Sequence, residues 1–561
     1  METNSFDAIV VGSGMSGGWA AKELTEKGLK TLVLERGRMV KHGEYPTATK
    51  DPWELPYGNR ITQDTRHRKP VQTRTGYPTP ANEHWFVDDL DHPYVEEQPF
   101  DWLRGYHVGG RSLMWARQSY RFGPLDFEAN AKEGIAVPWP VTYEEIAPWY
   151  DKVETFAGIR GSVEGLYQLP DGKYLPPHDL NCVEVDFKKR LDEKLGRKLI
   201  IGRCANLTAP LTHNESPQRG TCQARNMCIR GCPFGGYFSS VSATLPSAER
   251  TGNMTLLPNQ IVYELIYDND KGKATGVRVL DAETGKQTDY FAKVVFLCAS
   301  ALGSAYIMLN STSSRFPNGF GNDSGELGHN IMDHNKPGNS NAAVEGYLDV
   351  AYTGRRPNGF YIPRYRNVGK DKRGYLRGFG YQGRASRAGY NRFNDSTMIG
   401  DELKQAVQEP GPWNVSMTAF GEILPNHENY ARLDHDKKDK HGLPLLVVNA
   451  VVRENERKME EDMKNDAAEM LEAAGFKNVT VKSDAYHVGN SIHESGTARM
   501  GNDPKKSVLN KFNQVHACKN VFVTDGSFMP SFGCQNPSLS YMAFTARAVD
   551  HAVEELKKGN V

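Results

Sequence analysis

The sequence has no long apolar run, and none approaches the roughly twenty residues that a membrane-spanning helix needs. It also has no excess of one charge, because 68 Lys and Arg residues balance 68 Asp and Glu residues. Net charge therefore indicates no nucleic-acid or membrane-surface partner. Internal repeats and low-complexity tracts are absent as well. At 561 residues the chain exceeds one hydrophobic core, so we expect about two to four domain-sized units, interleaved in sequence.

Cysteine is scarce, with eight residues in the whole chain, which excludes a disulfide-stapled scaffold. There is also no room for a cleavable signal segment, because the first apolar run begins at Ala8. We therefore expect no signal peptide, and no direct export on a signal of its own.

The chain does have a glycine-rich turn near its start. The apolar run Ala8 to Val11 precedes Gly12, Gly14 and Gly17, which have the G-x-G-x-x-G spacing of a dinucleotide-binding turn. Such a turn brings bare backbone against a pyrophosphate at a helix N-terminus, where N–H groups and the helix dipole favour an anion. The pattern predicts a strand, a phosphate-binding turn and a helix.

A second predicted strand, Lys30 to Glu35, ends in a carboxylate about twenty residues past the glycines. A carboxylate there accepts hydrogen bonds from a ribose diol and repels a 2′-phosphate, which disfavours NADP. It does not distinguish NAD from FAD.

Later segments predict a sheet-rich chain. Residues 36–100 have no periodicity and are typical of a lid or wrapping loop. The pattern of residues 254–298 predicts hairpins followed by a last parallel strand. We predict an antiparallel substrate-binding sheet in 335–452. On it, Tyr381, Gln382 and Arg384 are candidate sugar contacts, although surface loops explain them nearly as well. Residues 454–474 predict an amphipathic helix whose methionines form core.

Seven motifs, in order, resemble the glucose-methanol-choline (GMC) oxidoreductase family of FAD enzymes. They are Gly12-Ser-Gly-Met-Ser-Gly17 with Glu35, Gly109-Gly-Arg-Ser-Leu-Met-Trp115, Trp139 to Tyr150, Val294 to Gly303, Gly328 to His334, His493 to Gly501, and Asp525-Gly-Ser with Asn536-Pro-Ser-Leu-Ser540. The sequence is most similar to the bacterial branch with pyranose oxidase, C-glycoside 3-oxidases and FAD-dependent glucoside 3-dehydrogenase large subunits.

The resemblance implies an α/β fold in which a three-layer, Rossmann-like FAD domain is interleaved with a substrate domain built on an antiparallel sheet flanked by helices. We divide the chain into a first FAD-binding segment with the lid (1–125), a substrate and cysteine-loop segment (126–235), a second FAD-binding segment (236–334), the substrate-binding domain (335–484) and a third FAD-binding segment (485–561). Pyranose oxidase attaches FAD through a histidine where this chain has Met114, so we predict noncovalent FAD.

The resemblance also implies the site residues. The catalytic pair is His493, as general base, and Asn536, which we expect at the N-cap of the last helix with Pro537 in its first turn. The predicted cofactor-binding residues are Gly12, Gly14, Met15, Ser16, Gly17, Glu35, Arg36, Gly109, Gly110, Ser112, Met114, Trp115, Val262, Ala299, Asp525, Gly526, Asn536 and Pro537.

Three cysteines, Cys222, Cys228 and Cys232, lie within eleven residues, and Pro233 follows the last. Three thiolates suit a [3Fe–4S] cluster better than a four-ligand one. The resemblance to the large subunit of FAD-dependent glucose dehydrogenase, in which a cysteine segment of this kind holds a [3Fe–4S] cluster, implies the same. The alternatives are reduced structural cysteines or the relic of a lost cluster.

Together these features predict FAD-dependent oxidation of a secondary hydroxyl, C3 by resemblance, of a pyranose or glycoside, with electrons passing through the cluster to a cytochrome or quinone. One alternative is an oxygen-using oxidase without a cluster. The other is a lyase or scaffold subunit with structural FAD. The resemblance also implies a small partner subunit that carries an export signal, so we expect either a periplasmic or a cytoplasmic location.

Overall fold

The computed structural model describes residues 4–211, 219–352, 354, 356–393, 396–482 and 486–561. The predicted domain boundary at 484 and 485 lies outside these residues. Among the described helices, none is both long and apolar enough to cross a membrane.

The strands of the described residues are, in chain order, β1 Ser5–Val11, β2 Thr31–Leu34, β3 Val95–Glu96, β4 Ile200–Ile201, β5 Met254–Leu257, β6 Gln260–Asp268, β7 Lys273–Asp281, β8 Gln287–Leu297, β9 His334–Asn335, β10 Asn339–Val344, β11 Phe360–Ile362, β12 Phe379–Arg387, β13 Trp413–Glu422, β14 Tyr430–Lys438, β15 Pro444–Asn449, β16 Lys477–Val481, β17 Gln514–Val515 and β18 Cys518–Val523.

The α-helices of the same residues are α1 Met15–Glu26, α2 Gln63–Arg68, α3 Pro70–Arg74, α4 Pro124–Phe127, α5 Ala129–Glu133, α6 Tyr143–Ala157, α7 Cys182–Leu195, α8 Thr244–Arg250, α9 Ala301–Asn310, α10 Gly400–Gln408, α11 Glu454–Ala473 and α12 Ser538–Lys558. Residues 36–100 hold only short helices and β3, as expected for a wrapping segment.

The first sheet has eight strands in the order β17-β18-β8-β1-β2-β5, with β6 and β7 added as antiparallel hairpins beside β8. Its central strands pair in parallel, with Val10 opposite Val33 on one side and Phe296 on the other. These strands come from three separated regions of the chain. The interleaved arrangement that the resemblance implied is therefore confirmed.

The parallel strands of this sheet lie in the middle of three layers. Ala8 and Val10 belong to a buried cluster with α1 and α12, and Ile9 and Val11 belong to the buried cluster that includes β6 and β7. All four side chains are buried, which explains why β1 is a continuous apolar run rather than an alternating one. The predicted three-layer α/β fold is confirmed.

The second sheet has seven strands in the order β16-β10-β13-β12-β11-β4, with β9 on β13. Its paired strands run antiparallel, and α7 and α11 pack on one face. The buried stripe on α11 includes Met459, Met463 and Met470. The predicted core role of these methionines is therefore confirmed.

One predicted segment belongs elsewhere. The run Leu443 to Asn449 falls within the predicted substrate-binding sheet, but β15 pairs with β14 and β3 in a separate three-stranded sheet. Its partner Val95 is about 350 residues away, which local patterning does not reveal. The prediction for this run was wrong.

Candidate active site

The glycine turn between β1 and α1 is built so tightly that only glycine fits. Gly12 has a φ of +95°, and a Cβ there would lie 2.5 Å from the Cys298 carbonyl oxygen. A Cβ on Gly17 would lie 1.9 Å from the carbonyl oxygen of Gly12. No side chain caps the N-terminus of α1, so its first backbone N–H groups remain available to an anion.

A cavity of about 670 Å³ is lined both by this turn and by the predicted catalytic pair, His493 and Asn536. Of the predicted cofactor-binding residues, those that line it are Gly12, Gly14, Met15, Ser16, Glu35, Arg36, Gly110, Ser112, Met114, Trp115, Val262, Ala299, Asp525, Gly526 and Asn536. Gly17, Gly109 and Pro537 do not line it. They shape the backbone behind it, as Gly109 does by donating its N–H to Ser13 Oγ.

Glu35 holds the turn as well as lining the cavity. Its Oε2 accepts hydrogen bonds from the Ser13 amide (3.1 Å) and hydroxyl (2.6 Å), and Oε1 accepts one from the Gly37 amide (3.0 Å). Burial raises the pKa of Glu35, and these hydrogen bonds oppose that rise. Oε1 keeps a lone pair for a ribose hydroxyl.

The predicted catalytic pair, His493 and Asn536, lines the same cavity. Asn536 Nδ2 is 3.4 Å from His493 Nε2, and Gln382 donates from Nε2 to Asn536 Oδ1 at 2.5 Å. The helix α12 begins one residue later than predicted: Pro537 is its N-cap and Asn536 precedes it. The N-cap prediction for Asn536 was wrong, and its amide is therefore free to contact His493 and Gln382.

Asp333 fixes the backbone that carries His493. Its buried carboxylate accepts hydrogen bonds from the amides of Gly489 (2.8 Å), Ser491 (3.2 Å) and His493 (3.1 Å), and from the Ser491 hydroxyl. Ile492, just before His493, has a φ of +67°, which is strained for a β-branched residue. Asp333 lies within one of the seven motifs, but the sequence predicted no role for it. The only sequence feature that could have indicated this role is the position of Asp333 beside a histidine in that motif.

The surroundings of His493 favour its neutral form. Burial is the main reason that the pKa of His493 lies well below its usual value, and the positive charges of Arg111 and Lys336 lower it further. Arg111 is itself paired with Glu494, with Nη1 at 2.7 Å from Oε2. An imidazole that stays neutral at physiological pH can accept a proton.

Buried histidines also make the stability depend on pH. Burial lowers the pKa of His107 to about 4 and that of His334 to about 3, against roughly 6.5 in an unfolded chain. The unfolded state therefore takes up protons first, so stability is complete above pH 6.5 and falls as the pH drops below it. We expect a loss of roughly 2 kcal/mol per histidine between pH 7 and pH 5, measured by urea unfolding at constant ionic strength.

Replacing His107 by Gln should reduce this dependence by the contribution of one histidine, and His435→Gln, at an exposed position, is the control substitution. A pH dependence in His107→Gln as steep as that of the wild type would contradict the burial of this ring.

The three candidate sugar contacts are not equivalent. Tyr381 is buried in the core beneath α11, where its hydroxyl donates to the Met463 carbonyl at 2.7 Å. Side chains alternate along a strand, so the neighbouring Gln382 lines the cavity instead. Arg384 is exposed and lies outside the cavity lining. The structure thus brings only Gln382 to the site, together with Phe420, which the sequence did not indicate.

The structure describes all three cysteines of the predicted cluster loop. Cys222, Cys228 and Cys232 are all described and only partly buried, and Cys232 Sγ accepts a hydrogen bond from the Gly236 amide at 3.3 Å. Within the described residues, no three Cys, His, Asp or Glu side chains converge as metal ligands. The [3Fe–4S] cluster is therefore not shown by the described residues.

Comparison with known proteins decides the family. Two family models described as GMC oxidoreductase match residues 6–336 and 425–545, and the first alone spans more than half of the chain. The chain belongs to the GMC oxidoreductase family. This GMC oxidoreductase therefore uses FAD to oxidise alcohol groups, as its motifs predicted.

Relatives of this GMC oxidoreductase cover nearly its whole length. The fructose dehydrogenase large subunit of Gluconobacter japonicus is 26% identical over 100% of this chain and 99% of its own. The 2-methyl-1,2-propanediol dehydrogenase of Mycolicibacterium austroafricanum is 28% identical over 97% and 94%. The crystal structure of pyridoxine 4-oxidase from Mesorbium loti superimposes with a TM-score of 0.60 at 15% identity, over 98% of this chain and 99% of its own. That last likeness concerns the fold alone.

The cavity of this GMC oxidoreductase fits FAD. The glycine turn and the uncapped N-terminus of α1 suit a pyrophosphate, and the buried Nε of Arg36 has no hydrogen-bond partner in the described protein. Residues Gly12, Glu35, Met114 and Trp115 would hold the cofactor along the cavity. Noncovalent binding, which was predicted because Met114 stands at the position of the histidine link, stays a prediction.

Proposed function

We propose that this GMC oxidoreductase oxidises a secondary ring hydroxyl of a pyranose or glycoside, and that this hydroxyl is the one at C3. One observation carries the proposal: His493 and Asn536 line the same cavity as the glycine turn and contact each other there. The sugar class is supported by the fructose dehydrogenase large subunit among the relatives, and the C3 position by the resemblance of the motifs.

The chain's own residues supply the proton chemistry. Neutral His493 takes the hydroxyl proton, and Asn536 orients the hydroxyl beside it. FAD, when bound, supplies the acceptor for the hydride that leaves the same carbon. Gln382 fixes the Asn536 amide by donating to its oxygen, which directs the Asn536 N–H₂ group towards His493.

Anaerobic mixing of the FAD-loaded protein with a panel of pyranosides tests the proposal. We expect bleaching of the flavin absorbance with at least one glycoside and a 3-keto product by NMR. The matched non-sugar substrate is 2-methyl-1,2-propanediol. Bleaching by that diol alone would contradict a sugar substrate, and no bleaching by any alcohol would favour a lyase or scaffold role.

The electron acceptor separates the two oxidoreductase alternatives. Stoichiometric peroxide under air, in protein without iron or sulfide, would identify an oxygen-using oxidase. The [3Fe–4S] cluster stays a prediction, and no electron transfer is assigned to Cys222, Cys228 and Cys232. The small partner subunit and the periplasmic or cytoplasmic location likewise stay predictions, and co-purification with fractionation of cells tests both.

The substitution Gln382→Leu should slow substrate oxidation about tenfold, because Asn536 loses the donor that orients it. The measurement is the anaerobic rate of flavin reduction at saturating substrate. Arg384→Leu is the matched control, since Arg384 lies two residues along the same strand but outside the cavity. Equal rates for the two variants would contradict the orienting role of Gln382.

A further inference from the structure

A second imidazole lies directly behind the catalytic one. His334, on β9, is 1% exposed, and its Nδ1 is 2.8 Å from Nδ1 of His493. Its other ring nitrogen, Nε2, is 2.9 Å from the carbonyl oxygen of Gly533. Both nitrogens of His334 are therefore used within the protein, and neither faces the cavity.

These contacts fix every ring proton. A carbonyl oxygen only accepts hydrogen bonds, so His334 must carry its proton on Nε2 and donate it to Gly533. Burial lowers the pKa of His334 to about 3, so Nδ1 carries no second proton at neutral pH. Nδ1 of His334 is therefore an acceptor, and the proton between the two rings belongs to Nδ1 of His493. Nε2 of His493 therefore carries no proton, and its lone pair faces the Asn536 N–H₂ group at 3.4 Å.

The His334 ring is held so that it cannot turn away. Its centroid is 4.5 Å from that of Phe532 and 5.5 Å from that of Phe420, and its backbone amide donates to Ser491 Oγ at 3.1 Å. Gly533, which anchors Nε2, is three residues before Asn536. The segment that carries Asn536 thereby also sets the protonation of His493 from the opposite side.

We propose that His334 is a positioning residue that holds His493 in its Nδ1–H form, with Nε2 as the only nitrogen able to accept the substrate proton. The inference rests on the proposed function of His493 as general base. Neutral imidazole can carry its proton on either ring nitrogen. If His493 carried it on Nε2, that nitrogen would be a donor and could not accept the proton of the substrate hydroxyl. The Gly533 carbonyl, acting through His334, removes that alternative.

A neutral acceptor has a different effect from a carboxylate. A carboxylate at this position would favour imidazolium and raise the pKa of His493, whereas neutral His334 orients the ring without adding charge. The other charged groups around the pair are Lys336, Arg111 with its partner Glu494, and Asp333, whose carboxylate faces backbone amides. The neutral form of His493 is thus kept ready over a wide pH range.

Three substitutions test the proposal in the FAD-loaded protein. His334→Asn keeps an acceptor oxygen near the position of Nδ1, His334→Leu removes it, and His334→Asp adds a charge. We expect the anaerobic rate of flavin reduction to fall about 10- to 100-fold in the Leu variant and by much less in the Asn variant. In the Asp variant the acidic limb of the pH profile should move to higher pH by about one unit or more.

A readout without turnover separates this inference from the proposed function. In holoprotein with ¹⁵N-labelled histidine, signals of residue 493 are assigned by their loss in His493→Gln. We expect a protonated Nδ1 and an unprotonated Nε2 at neutral pH in the wild type, and a mixture of tautomers in His334→Leu. A protonated Nε2 in the wild type would overturn the inference even if sugars bleach the flavin. Wild-type rates and pH profile in a folded, FAD-containing Leu variant would overturn it too.

Discussion

Replacing His493 by Ala is expected to lower the rate of anaerobic flavin reduction by sugar about 10²- to 10⁴-fold, because the proposed general base is lost. The neighbouring carboxylate of Glu494 also lines the cavity but is paired with Arg111. Asn536 is an amide, and Nδ1 of His334 faces His493 rather than the cavity. The FAD content should not change, since the substitution leaves the glycine turn and Glu35 intact. Stopped-flow absorbance measures the rate.

The control for this variant is His427→Ala. His427 is an exposed imidazole that stacks on His329, outside the cavity lining. We expect it to reduce flavin at the wild-type rate. A His493→Ala protein with full FAD and unchanged turnover would remove the general base from the mechanism and revive the scaffold alternative.

The substitution Gly17→Ala is expected to abolish FAD binding and to lower the free energy of unfolding by about 3 kcal/mol or more. The Cβ of Gly17→Ala would lie 1.9 Å from the Gly12 carbonyl oxygen and 2.7 Å from its carbon, both backbone atoms that cannot rotate away. The start of α1 would have to move off β1, and the phosphate-binding turn would open. Flavin content after purification and urea unfolding measure the two effects.

Gly374→Ala is the matched control, because a Cβ there meets no atom within 4 Å. It should keep the wild-type stability and flavin content. If Gly17→Ala behaved in the same way, the close packing of α1 against the turn would be wrong.

Local patterns predicted the parts of the fold that depend on neighbouring residues. The G-x-G-x-x-G spacing located the turn between β1 and α1, and the methionine spacing located the buried face of α11. Both are short-range signals, since a turn and a helix face are set by residues a few positions apart. The order of the motifs added the interleaving of the two domains.

The rest of the site could not be predicted, because it depends on contacts between distant residues and on which face of a strand each side chain occupies. Tyr381 and Gln382 are adjacent in β12, so they point to opposite faces and only Gln382 reaches the cavity. The contact between His334 and His493 joins residues 159 positions apart. A one-residue shift of the N-cap, from Asn536 to Pro537, changed the role of the amide, and helix ends are the least regular part of such patterns.

A crystal structure of the FAD-loaded protein with an unreactive glycoside analogue tests the central claim most directly. It should show the flavin ring between the glycine turn and α12, and the analogue's ring hydroxyl within about 2.6–3.2 Å of His493 Nε2. A flavin outside this cavity, or a hydroxyl that contacts a different base, would contradict it.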